Sequence, residues 1–198
     1  MSLENKPTPD LISVVKRAKE GDKSAFEQLY NEYFAPLNRY IIIRVGDVSE
    51  AEDLTQLVFI KFYKNLVNWQ DKGYQPSAYL FTIARSVIAD YYRSKGRKGS
   101  KLSNSEEVLA LISDTSQNPH QDVIESEEIR TLYQNLKKLP EKYQEVLMLR
   151  YIENLSSKEI SQVINKSDVA TRKMLSRAVS ALADISKKNY NTPRENKK

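Results

Sequence analysis

The chain is predicted to be all-α, two small helical domains joined by a flexible acidic linker, the C-terminal one carrying a helix-turn-helix. Three observations predict it. Apolar residues recur at helical spacing with no strand-like alternation. Charge is segmented: Arg85 to Lys101 holds six basic residues and one acidic, Leu102 to Glu128 seven acidic and no Lys or Arg, and Ile129 to Lys188 twelve basic and six acidic. The 198 residues are 40% hydrophobic with only 5 Gly, enough for two modest cores.

The first domain is expected to begin near Leu11, after a Pro-containing leader, and to run to Lys98. Its first long helix places Ala25, Phe26, Leu29, Tyr30, Tyr33 and Leu37 on one side, a core pattern. The next opens with an expected capping box, Ser49 to Glu52, and continues through Leu66. It is too apolar for one face. With Leu54, Val58, Phe62 and Asn65 turned inward, Gln56, Phe59 and Tyr63 line the opposite side, which either a protein partner or another helix of the same domain must cover.

A loop from Trp69 to Pro76 leads to a third helix, with Leu80, Ile83, Ala84, Val87, Ile88 and Tyr91 as its buried stripe. Off the stripe stand Tyr79, Thr82, Arg85, Ser86 and Arg93, followed by Lys95, Arg97 and Lys98. Aromatic and hydroxyl groups beside cations can stack bases and hold phosphates. Cations at a helix C-terminus also complement its dipole, which accounts for some of them without any ligand.

Residues 99–128 are read as the linker, 129–186 as the second domain and 187–198 as a disordered polar tail. Near the end of the second domain, Leu155 to Ala178 reads as two short helices and a tight turn. Ser156 and Glu159 form a capping box; Ile160, Val163 and Ile164 form the apolar face of the first helix. Asn165 suits a left-handed helix end, and Ser167 suits the next N-cap. In the second helix Leu175, Ala178, Val179 and Leu182 make a buried stripe, turning Lys173, Ser176 and Arg177 to the far side with Arg172 on the flank. A basic second helix suits the major groove, and a solvated face of an ordinary hairpin gives the same pattern.

The absence of Cys and a single His120 exclude thiol chemistry, disulfides and ordinary zinc ligation. No glycine-rich phosphate loop, Ser/His/Asp set or supported acid pair is present, so no catalytic residue, metal site or cofactor is expected and the chain is not read as an enzyme. No signal-peptide pattern or apolar run of membrane-spanning length is present, which points to the cytoplasm.

In order along the chain, Ala51-Glu-Asp-Leu-Thr-Gln-Leu-Val-Phe, Ala78-Tyr-Leu-Phe-Thr-Ile-Ala-Arg with Ala89-Asp-Tyr-Tyr-Arg, Leu139-Pro-Glu-Lys-Tyr-Gln-Glu-Val-Leu-Met-Leu-Arg-Tyr and the helix-turn-helix resemble bacterial extracytoplasmic-function sigma factors. The resemblance implies an alternative sigma factor that binds core RNA polymerase and directs promoter-specific initiation. Residues 11–98 would be sigma region 2, meeting the polymerase clamp and melting the minus-10 element; 129–186 would be region 4, reading the minus-35 element. It implies polymerase contacts at Asp53, Gln56, Leu57, Phe59 and Tyr63, and minus-10 contacts at Tyr74, Tyr79, Thr82, Arg85, Ser86 and Arg93. Minus-35 contacts would fall to Ser156, Lys158, Ser167, Asp168, Ala170, Thr171, Arg172, Lys173 and Arg177. Implied partners are core RNA polymerase, promoter DNA and an anti-sigma factor, commonly membrane-anchored, which would hold the chain at the inner membrane; no small-molecule substrate is implied.

The sequence departs from the family pattern at Asn165, Lys166 and Asp168, where a turn glycine, an aliphatic residue and a different helix start are common. Asp168 either accepts from a cytosine amino group or complements the helix dipole. The competing reading is a stand-alone helix-turn-helix regulator that binds duplex DNA as a dimer. Elements about 25 base pairs apart are roughly 85 Å apart, and 27 extended linker residues reach about 90 Å.

Overall fold

The computed structural model describes residues 10–71, 75–96 and 122–190, the last stretch with side chains over 130–188. Eight α-helices are found among the described residues, and no strand.

Asp10 caps α1 (Leu11–Lys19), its carboxylate accepting from the Ile12 amide at 3.2 Å. Asp22 does the same for α2 (Lys23–Val45) through the Ala25 amide, and Gly46 ends α2 at φ 81°, a conformation that needs no Cβ. Helix α3 (Val48–Asn65) is capped by Asp47, which accepts from the Glu50 amide at 2.9 Å. The expected Ser49–Glu52 box is therefore displaced: both residues already lie inside the helix, because a better acceptor precedes them. A short 3-10 turn, Leu66–Asn68, closes α3, and the Trp69 carbonyl accepts from Lys19 Nζ at 2.9 Å. Pro76 starts α4 (Pro76–Ser94), where its missing N–H costs nothing.

The four helices pack α1 on α2, α2 on α3, and α4 on both α2 and α3. Tyr40, Leu29, Leu37, Ile41, Ile43, Phe62, Leu80 and Phe81 are fully buried at the centre. Tyr92 locks α4 to the end of α2, its hydroxyl donating to the Arg44 carbonyl at 2.6 Å.

The second half comprises α5 (Asp122–Lys137), α6 (Glu141–Leu147) extended by a π turn Met148–Ile152, α7 (Ser157–Val163) and α8 (Asp168–Tyr190). Helix α8 packs on α5, α6 and α7 around Val146, Met148, Leu149, Ile160 and Ala178. Gln144 ties the α5–α6 corner, its amide donating to the Leu139 and Lys137 carbonyls.

Two boundaries differ from expectation. Helix α5 begins seven residues before the expected end of the linker, so that part rises about 1.5 Å per residue instead of about 3.4 Å and the reach of the tether falls to about 80 Å. At the other end α8 continues to Tyr190, four residues into the expected tail. Residues 97–121 and 191–198, with His120 among them, lie outside the described residues.

The halves touch. Helix α4 of the first packs against α7 of the second. Arg39 pairs with Glu153 at 3.2 Å, Arg44 with Glu141 at 3.2 Å and Glu145 at 3.8 Å, and Arg85 with Glu145 at 2.9 Å.

Candidate nucleic-acid and polymerase interfaces

Helix α3 offers the first candidate surface. Asp53, Gln56, Leu57 and Tyr63 are exposed along one side, and Ile60 and Val67 continue the same arc at 51% and 67% exposure. Sequence reasoning missed these last two, although Ile60 and Val67 share the helical register of Gln56 and Tyr63.

Phe59 does not belong to this surface. It is 3% exposed, with its ring 4.7 Å from Tyr30 and 6.5 Å from both Phe26 and Phe34, because α3 lies between α2 and α4 and buries two faces rather than one. Of the two open alternatives, a helix of the same domain covers Phe59, whereas Tyr63 stays exposed. Asn65, expected inward, is also exposed, its amide donating to the Lys61 carbonyl at 2.8 Å.

Helix α4 carries the second. Tyr79 is half-buried beside Phe62, which pushes its hydroxyl pKa up by desolvation. Thr82 is exposed, its hydroxyl donating to the Ala78 carbonyl at 2.7 Å. Together with Asn68, Trp69 and Gln75 they line a cavity of about 260 Å³. One turn on, Arg85 and Ser86 line a larger cleft of about 900 Å³. Arg93, at the helix end, pairs with Asp90 at 2.9 Å. Tyr74 lies outside the described residues. Asn68, Trp69 and Gln75 were missed because they come from the turn before α4, which periodicity does not order.

The third surface is the helix-turn-helix. The Ser156 capping box forms as expected: its hydroxyl accepts from the Glu159 amide at 3.3 Å, and Glu159 accepts from the Ser156 amide at 2.8 Å. Lys158 stands exposed beside it. Asn165 takes φ 53°, and Ser167 caps α8 by accepting from the Ala170 amide at 3.2 Å. Lys173, Arg177 and Ala170 are exposed, and Asp168 pairs with the exposed Arg172 at 3.0 Å.

Two expectations for α8 fail. Thr171 is fully buried, its hydroxyl donating to the Ser167 carbonyl at 3.0 Å, so it stiffens the turn and offers DNA nothing. Val179, expected in the buried stripe, is 42% exposed. It borders an apolar groove with Leu132, Leu136, Tyr151 and Leu182.

Among the described residues no group of His, Asp or Glu could hold a metal ion, and no helix is long and apolar enough to cross a membrane.

Comparison with known proteins accounts for both halves. The family model for sigma-70 region 2 matches residues 25–98, and that for sigma-70 region 4 matches residues 129–182. The ECF RNA polymerase sigma factor SigW of Bacillus subtilis is 32% identical over 158 residues, which is 76% of this chain and 83% of SigW. The chain belongs to the extracytoplasmic-function branch of the sigma-70 family. The ECF RNA polymerase sigma factor BldN of Streptomyces coelicolor is 32% identical over 175 residues, which covers 88% of this chain and 65% of BldN. In fold the sigma factor resembles CnrH, solved in complex with the cytosolic domain of CnrY, with a TM-score of 0.61 at 22% identity, covering 90% of this chain and 97% of that one. Sigma factors are DNA-binding initiation factors, and this one is an alternative sigma factor that directs transcription. The stand-alone dimeric regulator is not favoured, since it leaves the region 2 match over 25–98 without a purpose.

Proposed function

We propose that this sigma factor divides its work among the three surfaces. Asp53, Gln56, Leu57 and Tyr63, extended by Ile60 and Val67, meet core RNA polymerase. The observation that carries this is the row of large apolar side chains left in solvent along α3 and the turn that closes it, while Phe59 is buried and Phe26, Tyr30 and Phe34 around it are half-buried. A soluble surface gains nothing from such a row unless a partner covers it.

Tyr79, Thr82, Arg85 and Ser86 capture unstacked minus-10 bases. The cavity beside Tyr79 and Thr82 offers an aromatic edge and amide and hydroxyl groups for a flipped base, and Arg85 supplies a cation for its phosphate. Extruding a base costs a few kcal/mol, which a fitted pocket offsets at the moment of melting. Arg93 extends the cationic track.

Helix α8 enters the major groove of the minus-35 element through Lys173, Arg177 and Arg172, with Ser156 and Lys158 near the backbone. Ser167 and Asp168 shape the helix start. The pairing of Asp168 with Arg172 favours a positioning role for that carboxylate over base reading. No reaction is catalysed by this chain.

The RpoE sigma factor of Bartonella quintana was solved in complex with the anti-sigma factor NepR. By analogy an anti-sigma factor binds this chain; if it is membrane-anchored, the chain is held at the inner membrane. The assay is co-purification of core polymerase on the wild-type chain and on Leu57→Ala/Tyr63→Ala. Retention by the first and loss by the second supports the reading; equal retention contradicts the α3 assignment.

A further inference from the structure

We infer that Val169 is a specificity-determining residue for the minus-35 element: its branched methyl groups, in the first turn of α8, read the C5-methyl of one thymine in the major groove. The inference deepens the proposed placement of α8 in that groove and rests on it.

Every other large apolar side chain of α8 over residues 168–188 has a place in the protein. Met174, Leu175, Leu182 and Ile185 pack against the core, and Val179 borders the apolar groove with Leu132 and Tyr151. Among the described residues Val169 does neither, and it is 55% exposed. Single exposed apolar residues are common on protein surfaces, so exposure alone assigns nothing. Position does. At 3.6 residues per turn, Val169 lies about 180° round the helix from Ala178, which is fully buried on the face that meets α5, α6 and α7. Packing of that face aims Val169 directly away from the domain, toward whatever the helix enters.

The first turn of α8 offers the groove little else. The Ser167 hydroxyl is occupied in capping, accepting from the Ala170 amide at 3.2 Å. Asp168 and Arg172 are paired at 3.0 Å, and Thr171 is buried. Val169, with the exposed Ala170 on its flank, therefore presents methyl groups at the end of the helix whose residues meet base edges in this motif.

In the major groove thymine alone carries a methyl group. Contact between that methyl and Val169 removes apolar surface from water on both sides. Cytosine in the same place would press its amino donor against an apolar side chain, which strips water from the donor and returns no hydrogen bond. Attraction to one base and a desolvation cost for another together give discrimination.

The test uses holoenzyme reconstituted from core RNA polymerase and the full-length chain. Promoter duplexes from a mapped transcript start, with the minus-35 segment randomised, are selected for binding and sequenced. The selected duplex is then remade with each thymine in turn replaced by deoxyuridine, which keeps the base pair and removes only the C5-methyl. Wild-type holoenzyme is expected to lose about fourfold in affinity at one of these positions, the worth of one buried methyl group. Val169→Ala is expected to bind the thymine and deoxyuridine forms at that position equally. A purely structural role would weaken every duplex and leave the difference between thymine and deoxyuridine intact, which would overturn the inference. An enriched minus-35 sequence with no methyl-sensitive position would also overturn it, while leaving α8 in the groove. No enrichment of any minus-35 sequence would overturn the groove placement itself, and the inference with it.

Discussion

Tyr63 meets Phe26 edge-on, with ring centroids 5.1 Å apart, while leaving 59% of its surface in solvent. Its ring is braced from behind by the core and presented to the outside, as an anchor for a partner should be.

Phe59, one turn earlier, is the control. Truncation of Phe59 to Ala removes a fully packed ring and is expected to cost about 3–5 kcal/mol of stability. Tyr63→Ala is expected to leave the thermal midpoint within about 2 °C of wild type and to act on polymerase binding alone. Thermal denaturation followed by circular dichroism distinguishes the two.

On α8, Lys173→Ala/Arg177→Ala is expected to weaken binding to the cognate minus-35 duplex more than to altered sequences, by about 1–3 kcal/mol per lost base contact, and to reduce the salt slope. Arg172→Ala is expected to weaken binding while freeing Asp168, so its effect should shrink in an Asp168→Asn background. Duplex binding by holoenzyme across a salt series measures both.

Asn165 holds the turn between α7 and α8 at φ 53°. Asn165→Gly removes the Cβ penalty and is expected to stabilise region 4 by a few tenths of a kcal/mol, whereas Asn165→Val is expected to cost about 1–2 kcal/mol. Urea titration of the paired variants gives the sign.

Glu153 makes the contact between domains pH-sensitive. Burial lifts its carboxyl from the ordinary 4.5 to about 7, against the opposing pull of Arg39. Glu32 and Glu159 line the same cleft and add no cation. When the domains part, the carboxyl is solvated and its pKa returns toward 4.5, so the closed state binds the extra proton. Its contribution to closure is therefore fully present below pH 4.5 and is lost as pH rises through about 7. The closed population should fall between about pH 5 and about pH 7.5 and then level off. Glu153→Gln should flatten that profile; an unchanged profile would place the titrating group elsewhere.

Much of this was legible in the sequence, and the failures share a cause. Capping chemistry is local, so the Ser156–Glu159 box, Asn165 and Ser167 could be read directly, as could the stripes of α2 and α4. Asp47 was overlooked in favour of Ser49 because both are good caps and only the path of the chain out of Gly46 chooses between them. Phe59 and Thr171 were assigned to partners because one helix shows which residues share a face but not how many neighbours cover it. In α3 the second neighbour takes Phe59, and in α8 the turn folds over Thr171. The pairing of Arg85 with Glu145 joins residues 60 positions apart, and no periodicity could announce it.

The central claim is that this chain gives polymerase a promoter specificity. Core RNA polymerase lacking any sigma factor, mixed with the purified chain and a genomic fragment library, provides the test through mapped transcript starts. The account predicts discrete new start sites sharing minus-10 and minus-35 sequences, absent with Leu57→Ala/Tyr63→Ala. No new starts, combined with tight sequence-specific duplex binding by the chain alone, would contradict it.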